Sequence, residues 1–343
     1  MLLLVAAFAF GVSLRPQDVV GEVLAEFRSY PLVGLGEEHQ VQEFHRFALK
    51  LLADRRSSRT FQDVVVECGN SLYQPVMDRY IAGKSVPRAE LQQVWRNTTQ
   101  WLTWNSPVYR HLFEGIRAIN LELPKSRRYR VVLADPPVDW SRSVTPESFR
   151  KFASRDDYWA TTIEREVLAK HHRGLLIVGG LHLARRSWQY HFKPAPRAKS
   201  MVAGILEQER PRSLCSISVL TGDFARQFSG DARMPRFIDL HKSKVGKESY
   251  MKLIPKSVVF LRKVRGKQVM VKATDLSWPR MSIFLDGLIC LSPKQTVVDA
   301  EVSEYDPEYL AELRKRAKIF KAVYGFDLEP DLDKIASNRH KTH

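Results

Sequence analysis

The sequence predicts an α/β fold: a mainly parallel central sheet flanked by helices, with an irregular basic insertion near residues 221–280. Two observations predict it. Short continuous apolar runs recur along the chain, each stopped by Gly or Pro, which is how strands buried on both faces read. Helical patterns fill the gaps, and alternation of strand and helix implies a parallel sheet.

The clearest runs are "YPLVGLG" (30–36), "DVVVECG" (63–69), "YRVVLADPP" (129–137) and "GLLIVGG" (174–180). "LCSISVL" (214–220) and "MSIFLDGLICLSP" (281–293) read the same way. Between them, residues 40–54 set Val41, Phe44, Phe47, Ala48, Leu51 and Leu52 on one face at helical spacing. His45 stands at the border of that face and reads as a packed histidine. Residues 106–120 open with Ser106 as cap and Pro107 in the first turn. "TPESFRKFA" (145–153) repeats that start. Residues 157–171 turn Trp159, Ile163, Val167 and Leu168 inward, and 306–325 run from Asp306-Pro307 to a stop at Gly325.

Residues 221–280 break the rhythm. They are polar, basic and loop-like, with a hairpin predicted over 257–272 around Arg265-Gly266. The expected organisation is one α/β domain over 17–330 that carries this insertion, preceded by an apolar segment (1–16) and followed by a basic tail (331–343). The apolar segment is too short to span a bilayer, which takes about 20 residues. Its length suits the core of an export signal, although a charged start and a clean cleavage site are missing. The expected location is secreted or periplasmic if it is such a signal, and cytoplasmic otherwise.

Lys and Arg number 54 against 38 Asp and Glu, a net charge of +16. A field of that sign favours anionic partners. The cations are scattered, and no zinc-finger spacing or RNA-binding aromatic motif accompanies them, so no specific nucleic-acid partner is expected. Three cysteines (Cys68, Cys215, Cys290) form no CxxC, which excludes a disulfide framework and a Cys-rich zinc site. There is no Walker or Rossmann phosphate loop and no G-x-S-x-G elbow.

The residues at and just beyond the strand ends carry the chemistry. The first run ends in Glu37, Glu38 and His39, the second in Glu67, the third in Asp135, and the fourth leads to His182. In a parallel sheet these C-terminal ends share one edge, where open α/β sheets bind ligands. Either His39 or His182 would serve as general base, oriented by a carboxylate such as Glu37 or Glu67. Alternatively, His39, Glu67 and His182 would hold a divalent cation (Zn²⁺, Mn²⁺ or Fe²⁺) that activates a water. Arg185 would steady an oxyanion or an anionic substrate group. The bland readings differ by residue. Glu37 and Glu38 suit a helix start, where the dipole favours acids, and Asp135 before two prolines suits a turn. Glu67 resists a bland reading, because an unpaired buried carboxylate is costly. His171, His172, His340 and His343 read as surface or tail residues.

"GEEH" (36–39) and "GGLH" (179–182) both fit Gly-x-x-His, with the strand-end Glu67 between them. Over residues 30–190 this resembles the superfamily that links erythromycin esterases, ChaN-like haem-binding lipoproteins and the TraB and TIKI proteases. The resemblance implies that Glu37, His39, Glu67 and His182 surround one pocket. It adds Glu43, in "HQVQEF", as a counterpart of the "REF" that continues the esterase motif. The first motif is closer in spacing to the ChaN-like form than to that of the esterases, which argues against a macrolide substrate. "DRYIAGKSVP", "VWRNTT" and "ADPPVDW" resemble a bacterial branch. Two functions follow as expectations. One is a hydrolase of an ester or amide bond in a small molecule or peptide, with Arg185, Asp135 and Glu43 on the substrate. The other is a haem- or iron-binding protein that uses the same edge, with walls such as Tyr73, Trp140 and Trp159.

Overall fold

Each central strand is apolar on both sides, and the two sides feed different cores. In β1 (Leu32–Glu37), Val33 and Leu35 face one core while Leu32 faces the other. In β2 (Asp63–Asn70), Val64 and Val66 oppose Val65. In β4 (Gly174–Gly179), Leu175 and Ile177 oppose Leu176 and Val178. Period-two alternation inside a fully buried strand requires cover on both faces. A computed structural model describing residues 17–230, 232–264 and 267–340 shows that cover.

The sheet is completed by β3 (Arg130–Asp135), β5 (Leu214–Thr221), β6 (Arg236–Asp239) and β9 (Gly287–Ser292). Its order is β3-β2-β4-β1-β5-β9-β6. All neighbours are parallel except the edge strand β6, which runs antiparallel to β9. All six predicted apolar runs are strands. Strand β6, from "RFID", was not predicted: it is short, carries two charges and needs only one partner. Strands β7 (Val259–Val264) and β8 (Lys267–Lys272) form the predicted hairpin as a separate two-stranded sheet.

One face is covered by α1 (Val19–Glu26), α2 (Gln42–Ala53), α3 (Gln74–Ile81), α4 (Arg88–Arg96) and α5 (Pro107–Glu122). The other is covered by α7 (Arg155–Ile163), α8 (Val202–Glu209) and α9 (Gly222–Ser229). The short α6 (Pro146–Arg150) packs with α10 (Pro307–Tyr324), and α11 (Glu329–His340) follows. The Thr145 hydroxyl caps α6, and Asp306 accepts from the Tyr309 amide at the start of α10. Ser106 stands at the cap position of α5, but its hydroxyl does not cap: it donates to the Val298 carbonyl at 2.6 Å. That bond pins the loop after β9 onto α5.

The apolar segment 1–16 and the end of the tail lie outside the described residues. All three cysteines are buried and free. Among the described residues no helix is long and apolar enough to cross a membrane.

Candidate functional site

The register of the sheet builds the site. Strand β4 lies between β2 and β1, and Gly179 at its end pairs with Glu37 at the end of β1. On the other side of β4, Glu67 Oε2 accepts the Gly179 amide at 2.8 Å. Three strand ends therefore bring Glu37, Gly179 and Glu67 side by side. The backbones approach closely here: a Cβ on Gly36 would stand 2.8 Å from the Gly180 Cα. Only glycine fits at that crossing.

Both predicted imidazoles border Gly179. A Cβ there would lie 3.0 Å from His39 Cε1 and 3.4 Å from His182 Cδ2. His39 follows β1, and its Nδ1 is 3.1 Å from Glu37 Oε1. His182 stands in a short 3₁₀ turn, Gly180–Leu183, with Nδ1 2.8 Å from Asp156 Oδ1. Asp156 is fixed in turn by the Val202 amide, at 2.7 Å. Each imidazole is thus held through Nδ1 by its own carboxylate, which leaves Nε2 as the chemically available nitrogen. His39 and His182 are 32% and 22% exposed, whereas Glu37 and Glu67 are 2% and 1% exposed. Imidazoles form the accessible surface, and carboxylates support it from below.

Sequence reasoning missed two further supports. His45, in α2, has Nε2 3.2 Å from Glu37 Oε2. It is a packed histidine, as expected, and it also faces the site. Its signal was a polar ring in an apolar helical stripe, one turn into the helix that follows a strand-end carboxylate. Arg155, at the start of α7, donates to Glu67 Oε1 at 3.0 Å and to Asp135 Oδ1 at 3.1 Å. It joins β2 and β3 ends to the helix, with its guanidinium 4.7 Å from the Trp159 ring. Glu67 is therefore buried but paired. Asp135 also accepts from the Thr99 hydroxyl at 2.8 Å, so it braces the site through Arg155.

The electrostatics follow from these contacts. Burial alone would push the Glu37 carboxyl up; the rings of His39 and His45 outweigh it and hold it down at about 2. For His39, burial works against the charged form, but Glu37 raises its proton affinity overall. The same holds for His182, where burial is outweighed mainly by Asp156 and then Glu67. Burial dominates at Asp135 and raises its carboxyl despite Arg155. Aromatic edges set the rings: Trp104 and Trp159 lie edge-on to His39 and His182, at 4.9 and 4.6 Å.

Other predicted residues lie elsewhere. Arg185 pairs with Asp286 and donates to the Leu214 carbonyl at 3.3 Å. Leu214 begins β5, so Arg185 reaches the opposite edge of the sheet from the imidazoles. Glu43 is bound to the amide and hydroxyl of Thr296, at 2.9 and 2.8 Å, on the surface. Trp140 is buried under Arg316, its indole N–H donating to the Thr98 carbonyl at 3.2 Å. Tyr73 receives a hydrogen bond from Asn97 at 2.8 Å.

The donor set suits acid–base chemistry rather than a cation. Among the described residues no group of three or more His, Cys, Asp or Glu is gathered to hold a metal. His39, Glu67 and His182 are neighbours, but both Glu67 oxygens are engaged by Arg155 and the Gly179 amide. A cation bound to Glu67 would lie against a guanidinium, which repels it.

Residues 23–159 match the family model described as "Haem-binding uptake, Tiki superfamily, ChaN". No curated protein sequence matches the chain. Among solved structures, a succinoglycan biosynthesis protein is 10% identical, with 84% of this chain and 94% of that one covered, at a TM-score of 0.53. A Bacillus cereus protein is 13% identical (81% and 91% covered, TM-score 0.48). A mutant of erythromycin esterase EreC in its open conformation is 12% identical (81% and 94% covered, TM-score 0.46). At such identities the succinoglycan protein shows the fold alone. The family match takes in the strand ends that carry Glu37, His39 and Glu67, and over those residues the chain is similar to the ChaN/Tiki superfamily.

Proposed function

We propose that the protein hydrolyses an ester or amide bond in a small molecule or peptide, with no metal in the reaction. One observation carries this reading: two imidazoles flank Gly179, and each is tied through Nδ1 to a carboxylate of its own. A ring held that way presents Nε2 as a base, and the carboxylate stabilises the imidazolium that forms. His39 takes a proton from water while Glu37 holds its Nδ1–H. His182 gives a proton from Nε2 to the departing oxygen or nitrogen, steadied by Asp156. Glu67 and Arg155 fix Gly179 and the floor beneath both rings.

Turnover of short chromogenic esters tests the reading. Activity is expected to survive EDTA and to be lost in both His39→Ala and His182→Ala. Wild-type protein that needs added metal, or that hydrolyses no ester or amide, would overturn it.

The matched family description and the two partly exposed imidazoles support a second reading, haem binding. His39 or His182 would hold the group, since either ring offers Nε2 with its other nitrogen already bonded. The haem would supply iron chemistry, and this chain would supply the imidazole and hold it in place. A haem absorption band that shifts on adding the protein, and does not in His39→Ala, would favour binding over hydrolysis.

A further inference from the structure

We infer that His45 is a positioning residue for the site: it backs the Glu37 carboxylate and thereby limits how Glu37 holds His39. The effect on turnover rests on the hydrolase reading above; the geometry does not.

Glu37 is almost fully buried and has two oxygens to satisfy. Oε1 faces His39 Nδ1 at 3.1 Å and the Tyr109 hydroxyl at 3.4 Å. That hydroxyl accepts the Gln40 amide at 3.1 Å, so its own proton is free to go to Glu37. Oε2 faces His45 Nε2 at 3.2 Å and has no aligned hydrogen-bond donor. His45 comes from α2, Tyr109 from α5 and Glu37 from β1, so three elements meet on one carboxylate.

The tautomer of His45 follows by elimination. Neither ring nitrogen has an aligned hydrogen-bond partner, but Nε2 has an acceptor within reach, Glu37 Oε2 at 3.2 Å, and Nδ1 has none. A proton there would be a buried donor without an acceptor, and imidazolium would add a charge to the same fault. A bare Nε2 would set a lone pair against a carboxylate oxygen. The arrangement that leaves least unsatisfied is the neutral ring with its proton on Nε2, aimed at Glu37. His45 then supplies a donor without cancelling the negative charge that Glu37 presents to His39. The ring is locked by edge contacts with Phe44 and Tyr109, at 5.4 and 4.9 Å. The other charged groups acting on His39 are Glu67 from β2, which favours its proton, and Arg155 from α7, which opposes it.

Nitrogen-15 NMR of the imidazoles tests this directly. In the wild type, His45 is expected as the Nε2–H tautomer and His39 as the Nδ1–H tautomer when neutral. In His45→Leu, Glu37 loses its neighbour and its fixed pose, so His39 is expected to show mixed tautomers. His45→Gln, which keeps an N–H donor, is expected to restore most of the wild-type pattern. With an ester substrate, kcat falls about tenfold in His45→Leu with KM unchanged, and recovers in His45→Gln. An Nδ1–H tautomer of His45 in the wild type overturns the inference, even if no variant folds. So does an unaltered His39 tautomer ratio in folded His45→Leu. Absence of ester turnover removes only the hydrolase reading, because the spectra decide the positioning role alone.

Discussion

The amide of Gly179 donates to Glu67 Oε2 at 2.8 Å, across the neighbouring ends of β4 and β2. The same glycine lies beneath both imidazoles, so one residue couples the buried carboxylate to the accessible surface. Gly179→Ala tests that coupling. Its Cβ would stand 3.0 Å from His39 Cε1 and 3.2 Å from Nε2, so His39 must shift by a few tenths of an ångström. Catalytic geometry tolerates such shifts poorly. We expect a fall of about tenfold in kcat/KM with the thermal midpoint nearly unchanged. Full activity in the variant would show that neither ring works from its observed position.

The pH dependence follows from His39. Glu37 raises its proton affinity, so the neutral base appears only above the usual histidine range. The acid limb of the kcat/KM profile should therefore lie above about 6.5. Glu37→Gln removes the charge and leaves the burial that disfavours imidazolium. The acid limb should move to lower pH while kcat drops, because the imidazolium formed in the reaction loses its counter-charge. A limb that stays in place would separate Glu37 from the base.

Arg155 pairs with two buried carboxylates at once, Glu67 and Asp135. Removing one partner of a buried ion pair leaves an uncompensated charge and costs about 3–5 kcal/mol. Arg155→Leu should therefore lower stability by about that amount in urea titration at pH 7. The loss should shrink as pH falls, since protonation of Asp135 relieves its stranded charge. Asp135, already raised by burial, would take up that proton. A loss under 1 kcal/mol, independent of pH, would show that the pair contributes little.

The strands were readable because burial on both faces writes itself as uninterrupted apolar runs. Strand order was not, yet the placement of β4 between β1 and β2 is what brings Glu37, Glu67 and Gly179 together. Glu37, His39, Glu67 and His182 were legible because they stand at or just beyond strand ends. His45 and Arg155 were not, for a physical reason: each sits in a helix, and its partner is a carboxylate that only tertiary packing brings near. Arg185 misled through proximity in sequence. The turn after His182 carries the chain over to the far edge, where Asp286 claims the guanidinium.

The two imidazoles are assigned different roles, and Asp156 separates them. Asp156 Oδ1 accepts from both the Val202 amide and His182 Nδ1. In Asp156→Asn the amide oxygen can keep both contacts, so geometry survives and only the charge is lost. His182 owes its raised proton affinity mainly to that charge, acting against burial. Its pKa should fall, and a general acid is active only below its pKa. The alkaline limb of the profile should therefore move to lower pH, while the acid limb set by His39 stays put. Both substitutions shift a limb to lower pH, but Glu37→Gln moves the acid limb and Asp156→Asn the alkaline one. If Asp156→Asn instead moves the acid limb, His182 is the base and His39 the acid, and the water is activated on the Asp156 side of Gly179.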